Sequence, residues 1–202
     1  MAKKEVSAIV RGADLLTSIF SALDAAVRER GGTDEDIHRL ATPQGKKIIA
    51  RMADIIVRQA GEVFPITVDY ALSLEQMITA GNYDWKNSDI NPDHFPIKGC
   101  GQVEVETVLV HLNRIASTDE VLEELGRRGL RSATLPELLA FGARYPDKQR
   151  EFSIIELGSV WTDPDGDRCV ACFYGSVDER RLRLRWFGSR WRGHYRFLAV
   201  RK

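Results

Sequence analysis

Two cysteines in the C-terminal half, Cys169 and Cys172, have the C-x-x-C spacing that zinc sites and redox proteins use. The sequence around them predicts a strand, and residues three apart on a strand point to opposite faces of the sheet. Both thiols can bind one metal ion only if the strand turns, and Cys100 and a histidine would have to complete the site. We therefore expect buried, unreactive cysteines, because free cysteine is among the residue types most often buried.

Three aspartates, Asp163, Asp165 and Asp167, alternate in the way that calcium-binding carboxylates do in some loops. An EF-hand loop also needs glycine at its sixth position and glutamate at its twelfth, where Arg168 and Tyr174 stand. The Pro-Asp-Gly sequence inside the run is typical of a tight turn. We predict a turn between two strands and no metal site.

Motifs of the common catalytic sites are missing from the sequence. The four histidines share no short metal-binding spacing, and there is no glycine-rich phosphate loop, no G-x-S-x-G and no H-E-x-x-H. We therefore assign no catalytic residue, and we expect no cofactor and no bound metal. A binding protein is favoured over an enzyme.

Residues 82–101 show no hydrophobic periodicity and are rich in Asn, Asp, Pro and Gly, which predicts a long loop. Tyr83 and Trp85 offer aromatic faces for stacking, and Asp84 and His94 offer polar groups of the kind found in binding loops. Such a loop either forms a ligand site or packs on a domain junction, and we favour packing. The enzymatic alternative is a pocket between two domains that Asp84 and His94 complete.

Arginines alternate with apolar residues in residues 180–187, so one face of the predicted strand is a row of guanidinium groups. Residues 176–202 contain nine basic and two acidic side chains. Such a face can follow a phosphate backbone and stack on bases, or it can be a solvated or protein-facing surface. The whole chain has 29 basic and 29 acidic residues and no net charge, which favours the second interpretation.

The elements that hold these residues follow from hydrophobic periodicity and helix capping. Residues 13–30 and 42–56 predict two amphipathic helices that pack together, separated by a short helical turn. Residues 65–72 predict a short strand, and residues 73–81 a short helix with a capping box. We place a domain boundary near residues 99–101, so that domain 1–101 is mainly helical.

The second predicted domain, residues 102–202, begins with a strand and ends in a run of strands. The predicted order is a strand, two helices and four strands, at residues 103–113, 117–129, 134–145, 153–161, 168–174, 180–187 and 194–201. After Pro146 we expect only strands. The fold class is therefore α+β.

This order, together with the runs GLRSATLPELLAF, ELGSVW and YRFLAVR, resembles the C-type lectin-like superfamily and more narrowly its small bacterial members. The matching positions are Gly129, Arg131, Thr134, Glu137 and Leu138, followed at the end of the chain by Phe197, Val200 and Arg201. The resemblance covers about half of the chain. It implies that the strand at 103–113 pairs antiparallel with the final strand. The family's calcium and sugar-binding segments are not matched.

The composition is that of a folded globular protein, with 44% hydrophobic and 29% charged residues among 202. The N-terminus has no secretory signal, no stretch is apolar enough to cross a membrane, and three cysteines suit a reducing compartment. We expect a soluble, cytoplasmic protein.

The predicted function is that of a non-catalytic recognition or interaction protein, which binds a protein or a small ligand through its C-terminal strands and turns. The alternatives are nucleic-acid binding through the arginine-rich strand and an enzyme with the interdomain pocket. The candidate binding residues are Tyr83, Asp84, Trp85, His94, Arg181, Arg183, Arg185, Arg190, Trp191 and Arg192.

Overall fold

The computed structural model describes the backbone of residues 2–59 and 62–202, and the side chains of residues 14–53 and 62–202. Contacts within the chain divide it into two units, Met1–Gln59 and Ala60–Lys202. The expected boundary near residues 99–101 therefore lies inside the second unit. The reason is a strand before that point, which pairs with a strand after it and joins the same sheet.

The first unit is helical. Its elements are α1 (Ala2–Glu29), α2 (Asp34–His38), a 3-10 turn (Arg39–Ala41) and α3 (Gly45–Gln59). Helix α2 begins where the Asp36 carboxylate accepts a hydrogen bond of 2.9 Å from the Thr33 N–H. Helix α3 begins two residues later than Pro43. The predicted N-cap residue, Thr42, uses its hydroxyl to donate to the Arg39 carbonyl at the end of the 3-10 turn.

The predicted buried face of α1 is wrong at residues 15–20. Leu15, Leu16, Ile19 and Phe20 lie on one stripe, but 54% to 65% of each remains exposed. Helix α3 likewise exposes Ile49, and its predicted apolar positions 55 and 56 lie outside the described side chains. The amphipathic pattern thus predicts that both helices exist, but α1 begins at Ala2 and not at residue 13, and the predicted burial fails at the described positions named above.

The second unit is built on one mixed sheet. Its strands are β1 (Val63–Asp69), β2 (Trp85–Lys86), β3 (Gln102–Val110), β4 (Leu130–Ser132), β5 (Ile154–Thr162), β6 (Arg168–Gly175), β7 (Arg180–Trp186) and β8 (Arg196–Arg201). Their order is β1-β3-β8-β5-β6-β7-β2, with β4 also paired to β8. The helices are α4 (Leu74–Gly81), α5 (Thr118–Arg127), α6 (Leu135–Arg144) and α7 (Pro146–Glu151).

The predicted pairing of the strand at 103–113 with the final strand is confirmed. Strands β3 and β8 are antiparallel, with Val108 opposite Ala199 and Leu109 opposite Leu198. Strand β1 extends the sheet beyond β3 through seven residue pairs. Pro65, which has no N–H to donate, is tolerated in β1 because this strand is the edge of the sheet.

Both faces of the sheet are covered by apolar side chains. One face packs with α4 and α6 and includes Phe141, Phe173 and Leu182, all with no exposed surface. The other packs with α5 and the segment before β8, and it includes Trp191 and Phe197. Because strand residues alternate, Cys169 and Cys172 point to opposite faces as predicted, and both are buried.

The residues that carry the lectin-like resemblance have structural roles. Gly129 has a positive φ of 71° at the end of α5. The Arg131 guanidinium donates to both carboxylate oxygens of buried Glu137, at 2.9 and 2.5 Å. The same carboxylate accepts from the Thr134 N–H at 2.7 Å, which fixes the start of α6.

Three elements were not predicted. Helix α7 begins directly at Pro146, so the expectation of strands alone after this residue is wrong; proline suits the first helical position because its missing N–H has no intrahelical partner there. The short strands β2 and β4 lie in segments without periodicity. The α+β class itself is correct.

None of the helices within the described residues combines the length and apolar content that crossing a bilayer requires.

Candidate functional site

The β6–β7 hairpin places Arg181, Arg183 and Arg185 on one face of the sheet. Leu182 points to the face that packs with α6 and is fully buried, while the arginines on either side of it point to the opposite face and are partly exposed. Across the hairpin, Tyr174 pairs with Arg181 and Cys172 with Arg183. The alternation therefore yields a basic row, as predicted.

Arg183 lies between two aromatic rings. Its Cζ is 5.0 Å from the centre of the Tyr174 ring and 5.7 Å from the centre of the Trp85 ring. Trp85 is 45% exposed and Tyr174 43% exposed. We call Trp85, Tyr174, Arg181, Arg183 and Arg185 the arginine–aromatic surface. Its partly exposed rings orient a guanidinium group by cation–π attraction.

Two of the three arginines on this surface, Arg183 and Arg185, have no acidic partner among the described residues. Arg181 forms an ion pair of 2.6 Å with Glu179, but Arg183 and Arg185 have no ion pair within the described residues. The buried Nε of Arg183 has no hydrogen-bond partner there either. The surface thus presents two positive charges that lack anions, next to aromatic faces.

Asp84 positions Trp85 through hydrogen bonds to the backbone of β7. The Asp84 carboxylate accepts from the Arg180 N–H at 2.7 Å, and the Asp84 N–H donates to the Arg180 carbonyl at 2.9 Å. The Asn87 N–H donates to the Leu182 carbonyl two residues along β7. These bonds hold β2 parallel to β7, with Trp85 opposite Arg181.

Arg180 is a buried arginine that joins β7 to α4 and α6, and the sequence analysis did not identify it. Its guanidinium donates to the Gly81 carbonyl at 2.6 Å and to the Gly142 carbonyl at 2.7 Å. It also lies 5.0 Å from the centre of the Tyr83 ring, and its burial lowers its pKa. Burial of the Tyr83 hydroxyl raises the pKa of that group. Tyr83 is therefore part of the support beneath β7 and not a stacking face.

Trp191 is also a core residue, contrary to prediction. It is 1% exposed, its Nε1 donates to the Thr118 Oγ1 at 3.0 Å, and its ring packs edge-on against Phe197. Arg190 and Arg192 on either side of it are exposed. The strand-like alternation around Trp191 sends its large ring inward, and the two arginines outward.

His94 lies in a different place from Asp84. Its ring stacks on Trp161 at 4.2 Å, and its Nδ1 is 3.0 Å from the Asp89 carbonyl. It lines a groove of about 390 Å³ together with Lys98 and Ser159. The predicted pocket between domains is wrong in its location, since both His94 and Asp84 belong to the second unit.

Glu156 is a buried carboxyl group that the sequence did not single out. It has no exposed surface, and its oxygens accept from the N–H groups of Gly158, Ser159 and Ala171 at 2.9, 2.8 and 3.3 Å. Burial raises its pKa to about 8 in spite of these donors. An acidic residue in an otherwise apolar strand, ahead of a Gly-Ser pair, was the available signal.

The remaining sequence candidates are structural. The Asp163 carboxylate accepts from the N–H groups of Asp165 and Asp167, and Gly166 has a φ of 90°, which confirms the predicted turn. Burial raises the pKa of the Cys172 thiol to about 12. Within the described residues no group of three or more His, Cys, Asp or Glu side chains is arranged to hold a metal ion.

A further groove, which is mainly apolar, lies elsewhere in the second unit. It measures about 490 Å³ and runs between edge strand β1 and helices α4 and α6. Arg144 and Asp69 are among its charged lining residues.

No protein-family model, no curated protein and no solved structure matches the chain.

Proposed function

We propose that the second unit is a non-catalytic recognition module that binds an anionic group of a protein partner or a small ligand on the arginine–aromatic surface. The observation that carries the proposal is the Arg183 guanidinium, which lies between Tyr174 and Trp85 without an acidic partner among the described residues. A planar guanidinium binds carboxylate and phosphate through paired hydrogen bonds.

Orientation of Arg183 in the absence of ligand supports this role. The two rings restrict the guanidinium, so less rotamer freedom is lost when it binds. Arg185 supplies a second cation one position along the same face, beside the buried Cys172. Aromatic and arginine side chains are also the residues that most often dominate protein interfaces.

We also propose a C-type lectin-like fold for residues 102–202. The support is the antiparallel pairing of β3 with β8, the two helices α5 and α6 that follow β3, and the sheet order β3-β8-β5-β6-β7. Strand β1, which lies outside this range, extends the same sheet.

The proposal is tested by titrating an oligoglutamate peptide into the full chain and measuring the heat of binding. Arg183→Gln should weaken binding at least about 10-fold, the loss expected for one charge-assisted hydrogen-bonded contact. Arg144→Gln is the matched control. Arg144 also lies over a tyrosine ring, that of Tyr145, but it is an exposed residue of α6, away from the arginine–aromatic surface. Equal losses for the two variants would contradict the proposal.

Nucleic-acid binding is the second candidate, favoured by the two exposed rings beside unpaired arginines, since bases stack on aromatic side chains. A single-stranded oligonucleotide is the probe. Binding that falls steeply with salt and disappears in the Arg183→Glu, Arg185→Glu double variant would favour this candidate over a protein ligand.

A further inference from the structure

The first unit exposes a continuous apolar stripe on α1. Leu15, Leu16, Ile19 and Phe20 are 62%, 65%, 54% and 57% exposed. They occur at the spacing that places side chains on one face of a helix. We call these four residues the α1 stripe.

Beside the α1 stripe lies an apolar groove of about 420 Å³. Its lining residues come from α1, the 3-10 turn and α3, and they are Phe20, Leu40, Ala41, Ile49, Met52 and Ala53. Ile48 and Ile49 on α3 are themselves 40% and 49% exposed. A protruding stripe and a receiving groove are thus side by side on one unit.

The described part of this unit contains almost no core of its own. Ile37 is its only large apolar side chain that is buried. Helices in proteins gain most of their stability from burying an apolar face, and short helical units seldom persist without such burial. Contact with another surface would bury the apolar side chains that are exposed among the described residues and would add to the stability of these helices.

The exposed area is of the size that a dimer needs. The four stripe residues with Ile48 and Ile49 expose together about 600 Å², if a large apolar residue offers roughly 180 Å². This is at the upper end for the largest apolar patch of a monomer, and two such patches approach the roughly 1,200 Å² of the smallest stable interfaces.

We infer that the α1 stripe and the adjoining groove form a self-association surface, and that its occupant is a second copy of this chain. Each copy carries both complementary parts, so a twofold arrangement inserts each stripe into the groove of the other copy and closes the assembly at two.

The test is the mass of the full chain in solution, measured by light scattering and sedimentation over a range of concentrations. The wild type should have twice the chain mass of 22.8 kDa at high concentration. Ile19→Glu places a charge at the centre of the α1 stripe and should raise the dissociation constant at least about 30-fold. Leu16→Gln, a milder change, should raise it in the same direction.

Ser21→Glu is the matched control, since Ser21 is exposed on the same helix, about 170° around the axis from the centre of the stripe. It should dimerise like the wild type. All four tryptophans lie in the second unit, so their fluorescence checks that this unit stays folded in each variant. A wild type that is monomeric at all concentrations would overturn the inference. Normal dimerisation of Ile19→Glu, or an equal loss of dimerisation in Ser21→Glu, would also overturn it. The same holds if the full chain binds anionic lipid vesicles through the α1 stripe and does not self-associate.

Discussion

Titration of Glu156 should make the protein less stable as the pH rises through neutrality. The pKa of Glu156 is about 8 in the folded chain against an ordinary value of 4.5, because its carboxyl is fully buried. The folded state therefore holds a proton that the unfolded state releases above about pH 4.5. The stability that protonated Glu156 contributes to the folded state is fully present below pH 4.5 and is lost as the pH rises through about 8.

The size of the effect follows from the two pKa values. Together they correspond to about 5 kcal/mol in the free energy of unfolding, or about 1.4 kcal/mol for each pH unit between them. Between about pH 5.5 and 7.5 the Glu156 contribution should fall by about 3 kcal/mol. Burial is the largest cause of the raised Glu156 pKa, and the nearby charge of Glu137 adds to it.

The assay is urea unfolding followed by tryptophan fluorescence at a series of pH values. Glu156→Gln replaces the carboxyl by an amide that does not titrate, so the stability difference between wild type and variant should change by about 3 kcal/mol across this range. Glu123→Gln, which alters an exposed glutamate on α5, is the control and should run parallel to the wild type. If Glu156→Gln also ran parallel to the wild type, the carboxyl would be ionised in the folded chain and the reasoning would be refuted.

Further predictions concern the supports of the site and the thiols. Asp84→Ala removes the carboxylate that accepts from the Arg180 N–H, and it should cost about 1–2 kcal/mol of stability and weaken peptide binding. Intact binding to this variant would show that β2 does not depend on Asp84. Gly142→Ala should destabilise by at least about 2 kcal/mol, since a Cβ there would lie 2.4 Å from the Tyr83 hydroxyl, whereas Gly126→Ala meets open space and should be neutral or stabilising. Chemical denaturation of both glycine variants checks this. Under native conditions a thiol reagent should modify one cysteine per chain, exposed Cys100, and a count of three would mean that the other two are accessible.

Much of the second unit follows from sequence patterns that act locally. The capping box that starts α6 and the Asp-Pro-Asp-Gly turn after β5 depend on neighbouring residues, so both were predictable. The final strand pairs with a strand nearly a hundred residues earlier, and this pairing came from the resemblance to a family rather than from periodicity.

The errors in the predicted fold arise where contacts between residues far apart in the sequence determine the structure. Strand β2 has two residues and no periodicity, and it exists because Asp84 and Asn87 bond to the backbone of β7. The strand predicted at residues 65–72 is β1, which begins and ends earlier, at Val63–Asp69. Nothing in its own pattern specifies β3 as the partner, so the domain boundary was misplaced.

The candidate site was predictable only in part. Alternation identified the arginine row, and composition identified Trp85, but neither specified that the two meet. Tyr174 was missed because its role depends on the hairpin register that brings it opposite Arg181. Trp191 was misassigned because a tryptophan between two exposed arginines has the same sequence pattern whether its ring points inward or outward.

The most direct test of the recognition surface is the indole N–H resonance of Trp85 during titration with the oligoglutamate peptide. Trp85→Phe assigns the resonance, and buried Trp191 serves as an internal reference in the same spectrum. We predict that the Trp85 signal shifts along a saturable curve while the Trp191 signal stays in place. Peptide binding that leaves the Trp85 signal unmoved would contradict the assignment of the arginine–aromatic surface as the binding site.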